Sequence, residues 1–207
     1  MRSILLFALL STLNLHAQYQ LKPAGGPPPE TAPAVAAMLQ QSGLQLISPA
    51  GPAVLELWVT TTIPNAAAVS EDSVTLPTIP HGALLGIIRF PAAASDRRGL
   101  PIKPGLYTLR FSYYPTDGNH QGAAPQRDFL ILSPVADDKE PNTRPNFNTL
   151  MELSRKASGT AHPLCLSFWK GDAVAKPELE HAGNDWILKT KIGETPVAII
   201  VIGKFEG

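Results

Sequence analysis

The number of prolines limits what this chain can fold into more than any other feature of its sequence. The chain has 21 prolines in 207 residues, about twice the usual share of ~5%. Proline disrupts helix interiors but is tolerated in turns, in loops and at the edges of sheets. We therefore expect short strands joined by turns and not an all-helical bundle.

Alternation of apolar and polar residues supports this expectation. Residues 106–114 give the clearest case, because aromatic or aliphatic side chains occupy every second position, with Thr108, Arg110 and Ser112 between them. Residues 129–132 (FLIL) form a continuous apolar run, which is typical of a strand buried on both faces.

Two short helices interrupt the strand pattern. Asn146 predicts the N-cap of a helix that ends at Gly159, and a shorter helix is expected near Pro33. The whole pattern predicts an all-β chain, a sandwich of about seven to nine strands with one or two short lateral helices. Immunoglobulin-like, fibronectin-like and jelly-roll-like sandwiches all fit it.

Two segments resemble known proteins. The residues Pro104 to Leu109 (PGLYTL) resemble the start of a strand in immunoglobulin-like or fibronectin-like sandwiches, where a tyrosine bonds back to the preceding corner. The stretch from Gly105 to Pro134 is similar to uncharacterised exported bacterial proteins. These resemblances imply a β-sandwich and an exported protein, and they imply no particular activity.

The beginning of the chain has the three parts of an export signal. Arg2 supplies a positive charge, Ile4 to Leu10 form an apolar run, and Ala17 is a small residue at a cleavage position. The apolar run is shorter than the ~20 residues that span a membrane. We expect residues 1–17 to be a signal peptide that is cleaved near Ala17. A periplasmic or secreted protein without a membrane span in the mature chain would result.

The mature chain is expected to have two parts. Residues 18–30 are rich in proline and glycine and predict an extended leader. Residues 31–207 are expected to form a single domain, because the amino-acid composition does not change along them and no internal repeat is visible.

Charge and motifs narrow the classes of function. The chain has 17 basic and 17 acidic residues, and zero net charge disfavours nucleic acid as a partner. One cysteine excludes a disulfide framework and a cysteine-based zinc site. The sequence contains neither a nucleophile elbow nor a glycine-rich phosphate loop. We expect a binding or accessory module more than an enzyme.

The loop of residues 115–128 is the main candidate for ligand binding. It joins two predicted strands and carries Asp117, His120, Arg127 and Asp128 in a chain with few charges. We expect Arg127 to pair with Asp128 and so order the loop. The alternative is an ordinary solvated hairpin loop, in which Asp117 bonds its own backbone.

Residues 158–163 form a second polar set and include His162. If this turn meets the 115–128 loop at one end of the fold, Asp117, His120, Arg127, Asp128 and His162 form one ligand-facing surface. His120 and His162, with Asp117 or Asp128, would then suit Zn or Cu, because imidazole and carboxylate are ligands of these metals. A metal-binding protein or a metal-dependent enzyme is therefore one alternative function. Two unrelated loop histidines are the other interpretation.

Aromatic residues and the single thiol leave further alternatives. Trp58, Trp169 and Trp186 suggest a carbohydrate-binding platform if their rings are exposed, or a packing surface if they are covered. An exposed strand edge or these rings would suit a protein–protein adaptor. Cys165 lies in a predicted strand, where we expect an inert buried thiol and not one that pairs with another chain. The partner is thus expected to be a protein, a small molecule or a carbohydrate.

Overall fold

The computed structural model describes residues 18–114 and 126–205. The predicted signal peptide, Asp117 and His120 lie outside these residues. The described chain has twelve strands and two helices. The strands are β1 (Gln20–Ala24), β2 (Gly43–Ile47), β3 (Ala53–Val59), β4 (Leu84–Phe90), β5 (Ala94–Ser95), β6 (Pro101–Ile102), β7 (Gly105–Tyr113), β8 (Asp128–Pro134), β9 (Cys165–Lys170), β10 (Glu178–Ala182), β11 (Asp185–Ile192) and β12 (Thr195–Ile202). The helices are α1 (Pro33–Ala36) and α2 (Phe147–Ser158).

Ten strands form one antiparallel sheet that nearly closes on itself. Their order is β1-β2-β3-β4-β7-β8-β9-β12-β11-β10, and β1 and β10 are its two edges, which approach each other. β5 and β6 form a separate small hairpin between β4 and β7. The prediction of an all-β chain is confirmed. The sandwich type is not confirmed, because the ten strands all belong to a single sheet.

The interior of this sheet is the main core. Alternate strand residues, among them Leu57, Leu109 and Phe111, point inward and are buried. The rings of Phe111 and Phe168 meet edge to face with centroids 6.1 Å apart, an arrangement that aromatic pairs prefer. Ile102 of the β5–β6 hairpin also belongs to this core, so the hairpin helps to cover one end of it.

Much of the outer face of the sheet is covered as well. Phe129 and Ile131 of β8 pack under Leu150 and Met151 of α2, while Leu130 and Leu132 face the interior. The prediction that residues 129–132 are buried on both faces is therefore confirmed.

The segment around α1 covers a second part of the outer face. Val35 and Leu39 pack on Trp58, Leu84 and Ile87. Trp58 of β3 is thus covered by the segment around α1.

Arg110, on the outer face of β7, binds the segment that joins β8 to α2. Its side chain is 0% exposed and makes two 2.7 Å bonds to the carboxylate of Asp138. It also donates to the backbone carbonyls of Gly82, Glu140 and Thr143. Burying a cation is tolerated here because its donors are used by an anion and three carbonyls.

Several local predictions are confirmed in atomic detail. Asn146 caps α2 by accepting a bond from the N–H of Thr149 at 3.0 Å, and Gly159 ends the helix in the left-handed conformation. The hydroxyl of Tyr107 donates to the carbonyl of Lys103 at 2.8 Å, as the resemblance at this corner implied. In the described part of the chain, no helix is long and apolar enough to cross a membrane.

The predicted leader contributes a strand to the sheet. Residues 20–24 form β1 and pair along their whole length with β2. We call the end of the sheet next to the β5–β6 hairpin the hairpin end. The opposite end, where β3 ends and β8 begins, is called the loop end.

Candidate functional site

Arg127 and Asp128 are occupied by structural contacts at the loop end. Arg127 pairs with Glu71 at 3.0 Å, and the predicted pair with Asp128 is wrong. Asp128 is fully buried and accepts bonds from the backbone N–H groups of Thr75 (2.7 Å) and Leu76 (3.1 Å). Burial raises the pKa of Asp128, and these two donors act in the opposite direction. Both side chains thus hold the segment between β3 and β4 against the start of β8.

His162 lies apart from these two residues. β8 and β9 are antiparallel, with Phe129 opposite Ser167. β8 begins at the loop end, whereas the residues that precede β9 lie toward the hairpin end. The side chain of His162 is exposed, and its carbonyl accepts a 2.7 Å bond from the hydroxyl of Ser158. The structure therefore does not bring His162 together with Arg127 and Asp128.

The metal hypothesis cannot be completed from the described residues. Within 18–114 and 126–205, no three His, Cys, Asp or Glu side chains are grouped so that they could hold a metal ion. Asp117 and His120 lie outside these ranges, so a Zn or Cu site that includes them stays a prediction.

The tryptophans do not form an exposed platform in the described chain. Trp58 is only 3% exposed, and its indole N–H donates to the carbonyl of Gly25 at 2.8 Å. Trp186 is half-buried, with His181 stacked on its ring at 4.4 Å and the edge of Tyr19 at 5.2 Å. Trp169 is half-buried as well. Of the two alternatives for the tryptophans, the packing surface holds for Trp58, which lies beneath α1.

His81 and Ser112 have the bond pattern of a base and a nucleophile. The imidazole Nε2 lies 3.0 Å from the hydroxyl oxygen, and the ring also bonds the backbone carbonyl of Pro145. Burial lowers the pKa of His81, although the bond to Pro145 acts in the opposite direction. Ser112, however, is 0% exposed on the outer face of β7, so a substrate cannot reach its oxygen in this conformation. We assign the pair a structural role, which is to hold His81 against β7.

Cys165 is buried and is not activated. Burial raises the pKa of its thiol to about 11, and the guanidinium of Arg98 lowers it by a smaller amount. A thiol of this kind is a poor nucleophile at neutral pH. Burial is as we expected from its place in a strand.

The turn of the β5–β6 hairpin is organised by one carboxylate. Asp96 is buried and accepts bonds from the backbone N–H groups of Arg98 (3.0 Å) and Leu100 (3.1 Å). It also forms a 2.6 Å ion pair with the guanidinium of Arg98. Gly99 has φ +85°, which a residue with a side chain adopts only with strain.

Two arginines attach this hairpin to the starts of two other strands, β9 and β11. Arg98 donates to the carbonyl of Pro163, just before β9, at 2.7 Å. Arg97 pairs with Asp185 at the start of β11 at 3.0 Å, and its guanidinium lies 5.5 Å from the centre of the Phe205 ring. The hairpin is therefore tied across the hairpin end of the sheet.

A cavity of about 300 Å³ lies at the hairpin end beside the stem of the hairpin. Its apolar walls come from three segments that are distant in the sequence: residues 52–55 of the β2–β3 turn and β3, residues 90–95 at the end of β4 and the hairpin stem, and residues 201–203 at the end of β12. Small side chains leave the space open, because the stem carries three consecutive alanines, Ala92 to Ala94.

Sequence reasoning missed this cavity. No single segment of it has a motif, and its walls come together only when the sheet curves until β3 and β12 face the same space. The run Ala92 to Ala94 beside Pro91 was the one local signal, because a strand end that carries only methyl groups cannot fill a core.

The chain matches no protein family, and no curated protein or solved structure is significantly similar to it.

Proposed function

We propose that this is an exported binding module that holds a small apolar ligand at the hairpin end of its sheet. The observation that carries the proposal is the cavity of about 300 Å³ lined by residues 52–55, 90–95 and 201–203. Pockets for small molecules are concave, largely apolar and about 300–1,000 Å³ in volume, so this one suits a compact ligand. Export follows from the predicted signal peptide and is part of the same proposal.

The chemistry of the walls indicates a neutral ligand. Val54, Leu55, Phe90, Val201 and Ile202 provide aliphatic and aromatic surface. Among the described residues that line the cavity there is no Asp, Glu, Lys, Arg or His. A charged group would lose its hydration here without gaining a partner of opposite charge.

The hairpin gives the cavity a fixed rim. Ala92 to Ser95 line the cavity, and the turn that follows them is held by Asp96 and by the ion pair of Arg97 with Asp185. Because this rim is already ordered in the free protein, less conformational entropy of the protein is lost when a ligand binds. Residues of β3 and of β12 both line the cavity, although these strands are not neighbours in the sheet.

The test is a fluorescence titration with N-phenyl-1-naphthylamine, a neutral apolar dye. At about −0.3 kcal/mol per non-hydrogen atom, a dye with about 17 such atoms should bind with a Kd of about 0.2 mM or tighter. Ala94→Leu should weaken binding at least about tenfold, because the added carbons occupy the cavity.

The chain offers a matched control in a second run of three alanines, Ala66 to Ala68, which is exposed and lies outside the cavity. Ala67→Leu should leave dye binding unchanged. Wild-type protein that binds no dye saturably, or equal binding by Ala94→Leu and wild type, would refute the proposal.

A further inference from the structure

The sheet fails to close where its two edge strands meet. Within residues 18–114 and 126–205, β1 pairs only with β2 and β10 pairs only with β11, so no ladder joins β1 to β10. Pro23 lies in β1 and Pro177 lies immediately before β10. Proline has no backbone N–H, so neither residue can donate a bond across the gap.

A lateral slot opens at this gap toward the loop end. It has a volume of about 250 Å³ and lies between Pro23 and Pro177. Leu44, Leu57 and Val59 form its apolar floor. A second space of about 180 Å³ adjoins it and shares Gln40, Pro177 and Thr190 with it. We use the name lateral slot for the two spaces together.

Two neutral polar side chains line the slot. Thr190 is only 5% exposed, and it borders both spaces together with the half-buried Gln40. A molecule bound in the slot would therefore have a hydroxyl and an amide beside it as hydrogen-bonding groups.

Two cations border the same space without an anion. Lys176 and Lys191 line the slot, and no described carboxylate lies within 4.0 Å of either ammonium group. Lys189 differs from them, because it pairs with Glu180 at 2.5 Å. The β10–β11 ladder begins at Glu178, opposite Lys189, so Lys176 lies just before β10 and Lys191 lies two residues beyond Lys189 on β11. Two like charges that line one space repel each other unless a counter-charge is present.

We propose that the lateral slot binds a small amphipathic carboxylate. Its alkyl part would lie on Leu44, Leu57 and Val59, and its carboxylate would lie between Lys176 and Lys191. This site differs from the cavity at the hairpin end, which is lined by neutral residues, and does not depend on it. Charge complementarity selects the anion, and the apolar floor selects a molecule with a hydrocarbon body.

The experiment is an NMR titration of the full protein with octanoate. The backbone amides of Thr190 and Gly193 should shift saturably. Lys176→Met/Lys191→Met should weaken binding about four- to twenty-fivefold, because each partly exposed ion pair contributes about two- to fivefold. Uncharged 1-octanol should bind to wild type with about the affinity that octanoate has for this double variant.

Two further variants locate the site. Lys189→Met, on the same strand, should leave octanoate binding unchanged because Lys189 is already paired. Ala94→Leu should also leave it unchanged because Ala94 lies at the hairpin end. The proposal is refuted if octanoate causes no saturable shift, if octanol binds wild type as tightly as octanoate, or if Ala94→Leu abolishes the shifts.

Discussion

The Nε of Arg97 lies 3.0 Å from one carboxylate oxygen of Asp185 and 3.1 Å from the other, a contact between residues 88 positions apart. Arg97 belongs to the hairpin turn and Asp185 opens β11, so this pair ties the rim of the cavity to the far part of the sheet. Both side chains are largely shielded from solvent, which strengthens the pair relative to a surface one.

Asp185→Asn should loosen the hairpin without unfolding the sheet. Loss of this charge-assisted contact should cost about 1.5–3 kcal/mol locally. Hydrogen exchange at Ile102 of β6 should accelerate, while exchange at Phe111 in β7 stays slow. Asp172→Asn is the control, because that side chain is 93% exposed and its nearest ammonium is 3.9 Å away. Equal protection of Ile102 in wild type and Asp185→Asn would show that the pair does not hold the hairpin.

Asp138→Ala should destabilise the protein by about 3–5 kcal/mol, because Arg110 would keep its charge in a buried site without an anion. Urea denaturation measures the loss. Asp137→Ala, at the adjacent exposed position, should change the free energy of unfolding by less than about 0.5 kcal/mol. The double variant Arg110→Met/Asp138→Leu should recover part of the lost stability. An Asp138→Ala variant as stable as wild type would show that Arg110 does not need this anion.

Gly86→Ala should disrupt the pairing of β3 with β4. A Cβ atom at this position would lie 2.5 Å from the carbonyl oxygen of Trp58, which is backbone of the neighbouring strand. The strands would have to separate, at a cost of about 1–3 kcal/mol. Gly25→Ala is the control because its Cβ would meet nothing within 4 Å. Thermal unfolding distinguishes the two, and an unchanged melting temperature for Gly86→Ala would show that the sheet adapts.

The stability of the protein should fall in weak acid partly through His81. Burial lowers its pKa in the folded state, so the unfolded chain binds a proton more readily. Its contribution is complete above the unfolded pKa of about 6.5 and is lost as pH falls from there through the folded pKa. Between pH 7.5 and pH 5, the unfolding free energy of wild type should therefore fall by more than that of His81→Gln. A difference that is independent of pH would contradict the lowered pKa.

Cys165 should be unreactive in the native protein. With a pKa of about 11, only about 0.1% of the thiol is ionised at pH 8, and the side chain is also buried. Ellman's reagent should detect less than one tenth of a thiol per chain in buffer and one thiol in guanidinium chloride. Rapid stoichiometric reaction in buffer would show that this part of the sheet opens readily.

Elements that depend on interactions between neighbouring residues are predictable from the sequence. The caps of α2 at Asn146 and Gly159 depend on residues next to the helix, and the alternation in β7 depends on the pleat of one strand. β10 was missed because four of its five residues are exposed, so it carries no apolar alternation. β1 was expected only as an extended leader, because Pro23 and the following glycines look like a linker.

The candidate sites depend on contacts between distant segments and were therefore not predictable. Arg127 and Asp128 stand out because the chain has few charges. The carboxylate that pairs with Arg127 and the N–H groups that bond to Asp128 nevertheless lie more than 50 residues earlier, in the segment between β3 and β4. The bond between His81 and Ser112 likewise joins positions 31 residues apart. Spacing along the chain carries no information on such pairs until the sheet order is known.

The incomplete closure of the sheet has a consequence for the behaviour of the protein at high concentration. An open sheet normally offers two strand edges to other chains, and such edges promote aggregation. In this fold both edges face one gap, each is five residues long, and they carry Lys22 with Pro23 on one side and Glu178 with Glu180 on the other. A second copy that approached β1 would meet the charge of Lys22 and the missing donor of Pro23, and one that approached β10 would meet two carboxylates. We therefore expect the two edges to resist edge-to-edge association with other copies.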